Sequence, residues 1–192
     1  MNRPLISIIL TTYNSSRTIR KVLKSIIDQN FPLKAVELII VDGGSRDDTI
    51  DVLKDFVSRC RNNFYRIELI IHDKNYGVSR ARNDGIKSSR GKYILILDDD
   101  VIMNKDTLQV LLNYLEQAPK NVGCVIPLHF NIYNNKISEW KYVIGRGRIA
   151  RCNFITSCAL IRMEVVDKVG LYDETLGPPF TVYEDVEYGA KY

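Results

Sequence analysis

Short apolar runs alternate along this chain with longer segments in which apolar residues recur every three or four positions. The runs cover residues 5–10, 36–41, 67–71, 93–97 and 122–126. Runs of that length with little polar alternation read as strands buried on both faces. Between them, Ile19, Val22, Leu23, Ile26 and Ile27 share one helical face. Ile50, Leu53 and Val57 do the same, as do Leu108, Leu111, Leu112 and Leu115 ahead of Pro119. Asn75-Tyr76-Gly77 turns the chain into a shorter helix carrying Arg80, Arg82 and Asn83. Ser15 or Ser16, the Ser45 and Asp48 pair, and Asn104 are the expected N-caps. The order βαβαβαβαβ predicts an α/β fold with a mostly parallel central sheet covered by helices on both faces.

Past Pro127 the pattern changes. Residues 130–137 read as a hairpin around the Asn134-Asn135 turn. Strand character returns at 140–144 and 154–161, and a helix from Glu164 ends at Gly170, a C-cap position. Tyr183 to Glu187 looks like the first turn of another helix, with little chain left before Tyr192. We expect a single domain over 1–192, part of a longer protein. Its first part, 1–103, carries the ligand-binding edge.

Composition narrows the class. The 27 basic and 23 acidic residues leave a net charge of +4, spread along the chain. That suits an anionic ligand but is not the clustered footprint of a nucleic-acid binder. The four cysteines, Cys60, Cys124, Cys152 and Cys158, show no CxxC spacing, and there are two histidines. A reduced, cytoplasmic protein without a zinc site is expected. No apolar run approaches the ~20 residues of a membrane helix. The first strand begins too early for a signal peptide.

The candidate chemistry sits at the end of the fourth apolar run, where Asp98-Asp99-Asp100 follows directly. Unpaired carboxylates do not stay inside a buried strand. They emerge at its C-terminal end, the edge where open α/β sheets bind ligands. Three like charges there call for a divalent cation, which prefers oxygen ligands. The pattern points to a metal-dependent site handling phosphates.

Five motifs, in order, carry a resemblance. They are Ser7 through Ser15; Ile40-Val41-Asp42-Gly43-Gly44-Ser45-Arg46-Asp47-Asp48-Thr49; Asn75-Tyr76-Gly77 through Ala81-Arg82-Asn83-Asp84-Gly85; Leu97-Asp98-Asp99-Asp100; and Gly170-Leu171-Tyr172-Asp173-Glu174 followed by Glu184-Asp185. Together they resemble an inverting family-2 glycosyltransferase with the GT-A fold. Tyr172 stands where the family has Phe. The resemblance implies transfer of a sugar from a nucleotide diphosphate donor, UDP-sugar favoured over GDP-sugar, to an acceptor hydroxyl. It implies a nucleotide-sugar part over 1–103 and an acceptor-side part over 104–192. The acceptor would be a glycan or a lipid-linked sugar, and the site of action the cytoplasm or the inner membrane face.

By the same resemblance, Asp100 and Asp98 hold Mg²⁺ or Mn²⁺, and Asp98 or Asp99 meets the ribose or a metal-bound water. Asp42 accepts a uracil imide N–H, although an Asp before Gly-Gly is also an ordinary turn residue. Tyr13 offers a ring for base stacking, or is a plain loop tyrosine. Thr11 hydrogen-bonds the base, and Arg82 meets a base carbonyl or phosphate unless it lies on a solvated helix face. Asp185 takes the acceptor proton with Glu184 beside it, or both are acids favoured at a helix start. Arg146, Arg148 and Arg151 read as a solvated loop, or as a hold on a lipid-linked phosphate or an anionic membrane surface. A sugar-phosphate nucleotidylyltransferase is the rival enzyme, but Thr11-Thr12-Tyr13-Asn14 replaces its Gly-rich loop. A non-catalytic or incomplete nucleotide-sugar-binding module is the third reading.

Overall fold

The computed structural model describes residues 3–127, 130–131, 136–137, 157–176 and 188. The four long apolar runs form parallel strands β1 (Ile6–Thr12), β2 (Val36–Asp42), β3 (Arg66–Ile71) and β4 (Tyr93–Asp98). Helices α1 (Ile19–Ile27), α2 (Thr49–Cys60) and α3 (Val78–Ser88) connect them, and α4 (Thr107–Gln117) follows β4. β5 (Cys124–Val125), β6 (Phe130–Asn131), β7 (Lys136–Ile137), β8 (Cys158–Arg162) and α5 (Met163–Val169) complete the elements. Strand order in the main sheet is β3-β2-β1-β4-β8-β5.

Alternation along the central strands fills two layers. Ile8, Leu10, Leu38, Ile40, Leu95 and Leu97 meet α1, α2 and α4 on one face. Ile9, Ile94 and Ile96 meet Ile86 of α3, Val166 of α5, Tyr172 and Tyr188 on the other. Both faces are therefore covered, which is why the central strands carry so little polar alternation.

Two expectations need correction. The fifth apolar run gives only the two-residue strand β5, at the sheet edge. β8 inserts between it and β4, antiparallel to both, with Leu95 opposite Leu160. The sheet is thus mostly parallel but mixed. The hairpin pairs Phe130 with Ile137 and Asn131 with Lys136. Its turn and the 140–144 strand lie outside the described residues.

The expected caps also differ. The residues flanking α1, α2 and α4 at their starts are Thr18, Asp48 and Asp106, and none makes a side-chain cap bond. The hydroxyls of Ser15 and Ser45 bond Asp99 and Asp42 instead. Gly170 does end α5, at φ 87°, a conformation that favours glycine.

One buried ion pair secures the opposite edge of the sheet. Glu37 on β2 is fully buried and accepts from the Ser7 hydroxyl at 2.6 Å and from Arg66 Nη2 at 3.0 Å. The Ser7 oxygen accepts the Gly91 N–H, so β1, β2, β3 and the turn into β4 share one network. Among the described residues no helix is long and apolar enough to cross a membrane.

Candidate functional site

Parallel register brings the ends of three strands together. Thr11 lies beside Asp98, and Thr12 beside Asp42. The β1–α1 loop leaves from this point and is held by four consecutive backbone donors. Tyr13 N–H donates to Asp99 Oδ2 at 3.1 Å, and Asn14 N–H to Ser45 Oγ at 2.8 Å. Ser15 N–H donates to Thr49 Oγ1 at 2.8 Å, and Ser16 N–H to Asp47 Oδ2 at 3.1 Å. Asn14 adopts φ 52°, a region asparagine tolerates, and its side-chain oxygen accepts the Arg46 N–H. The loop is shaped by side chains remote in sequence.

Asp42 is fully buried. One oxygen accepts from Gly44 and Ser45 N–H at 3.0 and 2.8 Å, and the other from the Ser45 hydroxyl. Its present work is to hold the Gly43–Gly44–Ser45 turn. Gly44 sits at φ 81°, and a Cβ there would lie 3.0 Å from the Lys74 Cα. Tyr13 packs over Gly43 and remains 43% exposed. Its ring thus has an accessible side above a glycine floor.

The three consecutive aspartates diverge. Asp98 pairs with Arg82 Nη2 at 3.2 Å, and the Arg82 side chain is 3% exposed. Asp99 is taken by the Tyr13 N–H and the Ser15 hydroxyl. Asp100 is exposed and, among the described residues, makes no hydrogen bond or ion pair. Charge repulsion in the cluster is therefore relieved by protein groups for two of the three. Among the described residues no three metal-ligating side chains converge on one point.

Arg82 is buried on the sheet side of α3, not on a solvated face. Its guanidinium carbon lies 5.4 Å from the Tyr172 ring centre. The next residue, Asn83, clasps Tyr172 through both backbone groups, at 2.9 and 3.0 Å, and donates to Glu174 Oε1 at 2.8 Å. Arg80 adds an ion pair to Glu174 at 3.1 Å. The Asn83 bond first, and Arg80 after it, hold the Glu174 carboxyl below its usual value. The 170–174 stretch is thereby strapped to α3, the helix that carries Arg82. Asn83, Glu174, Ser15 and Asn14 were not singled out as site residues. Their only signal in the sequence is membership of the five motifs.

His72 and Asp84 form a pair at 3.0 Å between the end of β3 and α3. Burial pushes the Cys158 thiol up to about 12, so it is no nucleophile. Glu184, Asp185, Arg146, Arg148 and Arg151 lie outside the described residues.

The sequence profile described as "Glycosyl transferase family 2" matches residues 7–170. The chain belongs to this family. Its relatives include an uncharacterized glycosyltransferase of Haemophilus influenzae, 33% identical over 61% of this chain and 44% of that protein. The minor teichoic acid biosynthesis protein GgaB of Bacillus subtilis is 30% identical over 69% of this chain and 15% of its own length. In three dimensions the chain is similar to S. aureus TarS in complex with UDP-GlcNAc, with a TM-score of 0.79 at 21% identity. That match covers 97% of this chain and 52% of TarS 1-349. The mannosyltransferase PcManGT of Pyrobaculum calidifontis, solved with GDP-Man and Mn²⁺, matches at TM-score 0.72 and 22% identity, over 99% and 52%. These likenesses establish the GT-A fold for the family-2 chain. The chain spans less than half the length of these curated relatives and about half of the solved chains.

Proposed function

We propose that this family-2 domain transfers a sugar from a nucleotide diphosphate donor to an acceptor hydroxyl with inversion. The observation that carries the reading is the shared rim formed by Thr11, Tyr13, Asp42 and Asp98, with Arg82 buried beside it. In this reading the base stacks on Tyr13 above Gly43, and Thr11 bonds its edge. Contact between Asp42 and a uracil imide requires the Ser45 hydroxyl to turn away from Oδ2. Arg82 meets a phosphate or a base carbonyl while remaining close to Asp98. Asp99 holds the Tyr13–Ser15 loop in place for the ribose.

The donor set fits a hard divalent cation. Asp100 and Asp98 would hold it with one or two carboxylates, leaving its other positions to donor phosphate and water, as is usual for Mg²⁺. When bound, such a cation stabilises charge on the leaving diphosphate. Mn²⁺ in the PcManGT structure and UDP-GlcNAc in TarS support a metal-assisted nucleotide sugar, UDP-linked first. Asp185 is assigned the acceptor proton and Glu184 the support of that step. The acceptor is a glycan or lipid-linked hydroxyl, reached at the cytoplasmic membrane face.

The test is nucleotide release from UDP- and GDP-sugars in the presence of Mn²⁺, with the product's anomeric configuration read by NMR. Release of UDP with an inverted product supports the reading. A product of retained configuration, or nucleotidyl transfer to a sugar phosphate, overturns it.

A further inference from the structure

Helix α1 carries two opposed stripes. Ile19, Val22, Leu23 and Ile26 are buried. Arg17, on the turn leading into the helix, and Arg20, Lys21 and Lys24 are exposed at i, i+3, i+4 and i+7, which is one line along a helix. Lys24 pairs with Asp28 at 2.6 Å, and among the described residues the other three have no ion-pair partner. No acid stands in the first turn of α1. The arrangement is unfavourable on two counts. Like charges at i, i+3 and i+4 repel, and cations at a helix start oppose the backbone dipole. Lys24 alone is favourably placed, in the last turn and paired with Asp28, while for Arg17, Arg20 and Lys21 folding offers no such return, because the opposite face does the packing.

The stripe begins at the site. Arg17 is two residues past Ser15, whose hydroxyl bonds Asp99. The exposed Arg46, held through its N–H by Asn14, lies at the same rim. The neighbouring helices expose mixed charge: Asp48, Asp51 and Asp55 with Lys54 and Arg59 along α2, and Asp106 beside Lys105 where α4 begins. A broad anionic plane laid on this face would meet those acids as well as the cations. A narrow anionic chain aligned with the start of α1 would meet Arg17, Arg20 and Lys21 before it reaches Asp28, which already pairs with Lys24.

We propose that Arg17, Arg20, Lys21 and Lys24 form a docking strip for a linear polyanion, a polymer with one phosphate or carboxylate per repeat. The strip spans about 10 Å of helix, enough for a few repeats. It leads such a polymer to the nucleotide rim, and calling that polymer the acceptor rests on the glycosyl-transfer reading. The strip itself does not.

The experiment titrates the protein with inorganic polyphosphate and with polygalacturonate, at rising salt and with saturating UDP present. The same titration is run on a variant carrying Arg17→Gln, Arg20→Gln, Lys21→Gln and Lys24→Gln. Glutamine keeps the helix propensity. We expect one of the polymers to bind, to weaken as salt rises, and to bind the variant about tenfold or more weakly. UDP affinity stays unchanged in the variant. Which polymer binds distinguishes phosphate from carboxylate repeats. Equal binding by parent and variant overturns the strip, as does displacement of the polymer by UDP. Binding to phosphatidylglycerol vesicles in place of the polymers assigns the face to a membrane and equally overturns it. Polymer binding without any UDP binding keeps the strip and removes the nucleotide reading.

Discussion

Arg82 Nη2 lies 3.2 Å from Asp98 Oδ1, joining the buried side of α3 to the tip of β4. Removing one partner of a fully buried pair costs about 3–5 kcal/mol. Asp98 is 29% exposed, so water recovers part of that. Arg82→Ala is expected to lower stability by about 1–3 kcal/mol. It should also weaken UDP binding, because a buried cation beside the β4 tip is lost and the rim becomes more negative toward the diphosphate. Thermal melting and calorimetry on the same sample check both parts.

The α3 helix can carry Arg82 so close to the sheet because Gly85 has no side chain. A Cβ there would lie 2.3 Å from Ile9 Cγ2 in the middle of β1. Gly85→Ala therefore forces α3 outward, at a cost of about 1–3 kcal/mol by overpacking. An Ile9→Val, Gly85→Ala double variant keeps that methyl clash, because Val retains the branch at Cβ. Ile9→Ala with Gly85→Ala relieves it. Denaturant melts of the two pairs should show coupling only in the second.

Much of the fold was legible because the apolar runs are buried on both faces, and burial writes itself into composition. Neighbour order was not legible in the same way. Nothing in residues 158–162 says that they pair with β4 ahead of β5. The caps misled for a related reason. Ser15 and Ser45 have the residue type of caps, but Asp99 and Asp42 compete for their hydroxyls across the site. The three aspartates do emerge at the C-terminal end of β4, as a carboxylate run after a buried strand requires. Their division among Arg82, the β1–α1 loop and solvent depends on partners 16 to 86 positions away.

Acid should loosen the same loop through Asp47. Its bond from the Thr49 hydroxyl first, with Ser16 adding to it, holds this carboxyl at about 2, below the ordinary 3.8. A depressed folded pKa gives stability that is complete above 3.8 and is lost as pH falls through about 2. Stability measured across that window should decline, and Asp47→Asn should flatten that part of the decline. Asp47 is almost fully exposed, so the effect is small, and the difference between the two pH profiles is the quantity to read.

Glu37 offers a control away from the site. Arg66→Ala leaves its fully buried carboxylate with the Ser7 hydroxyl and the Arg90 N–H. A loss of about 3 kcal/mol is expected, with UDP affinity unchanged. Chemical denaturation beside a UDP titration separates the two effects.

The glycosyl-transfer account depends most on a cation shared between the β4 tip and a donor's diphosphate. Calorimetry of UDP with and without Mn²⁺, on the parent and on Asp100→Ala, addresses it directly. Asp100 is exposed and unpaired among the described residues, so its loss should leave the melting temperature alone. The account predicts UDP heat that depends on Mn²⁺ and an affinity about tenfold weaker or worse in the variant. Mn²⁺-independent UDP binding of equal strength in both proteins would contradict it.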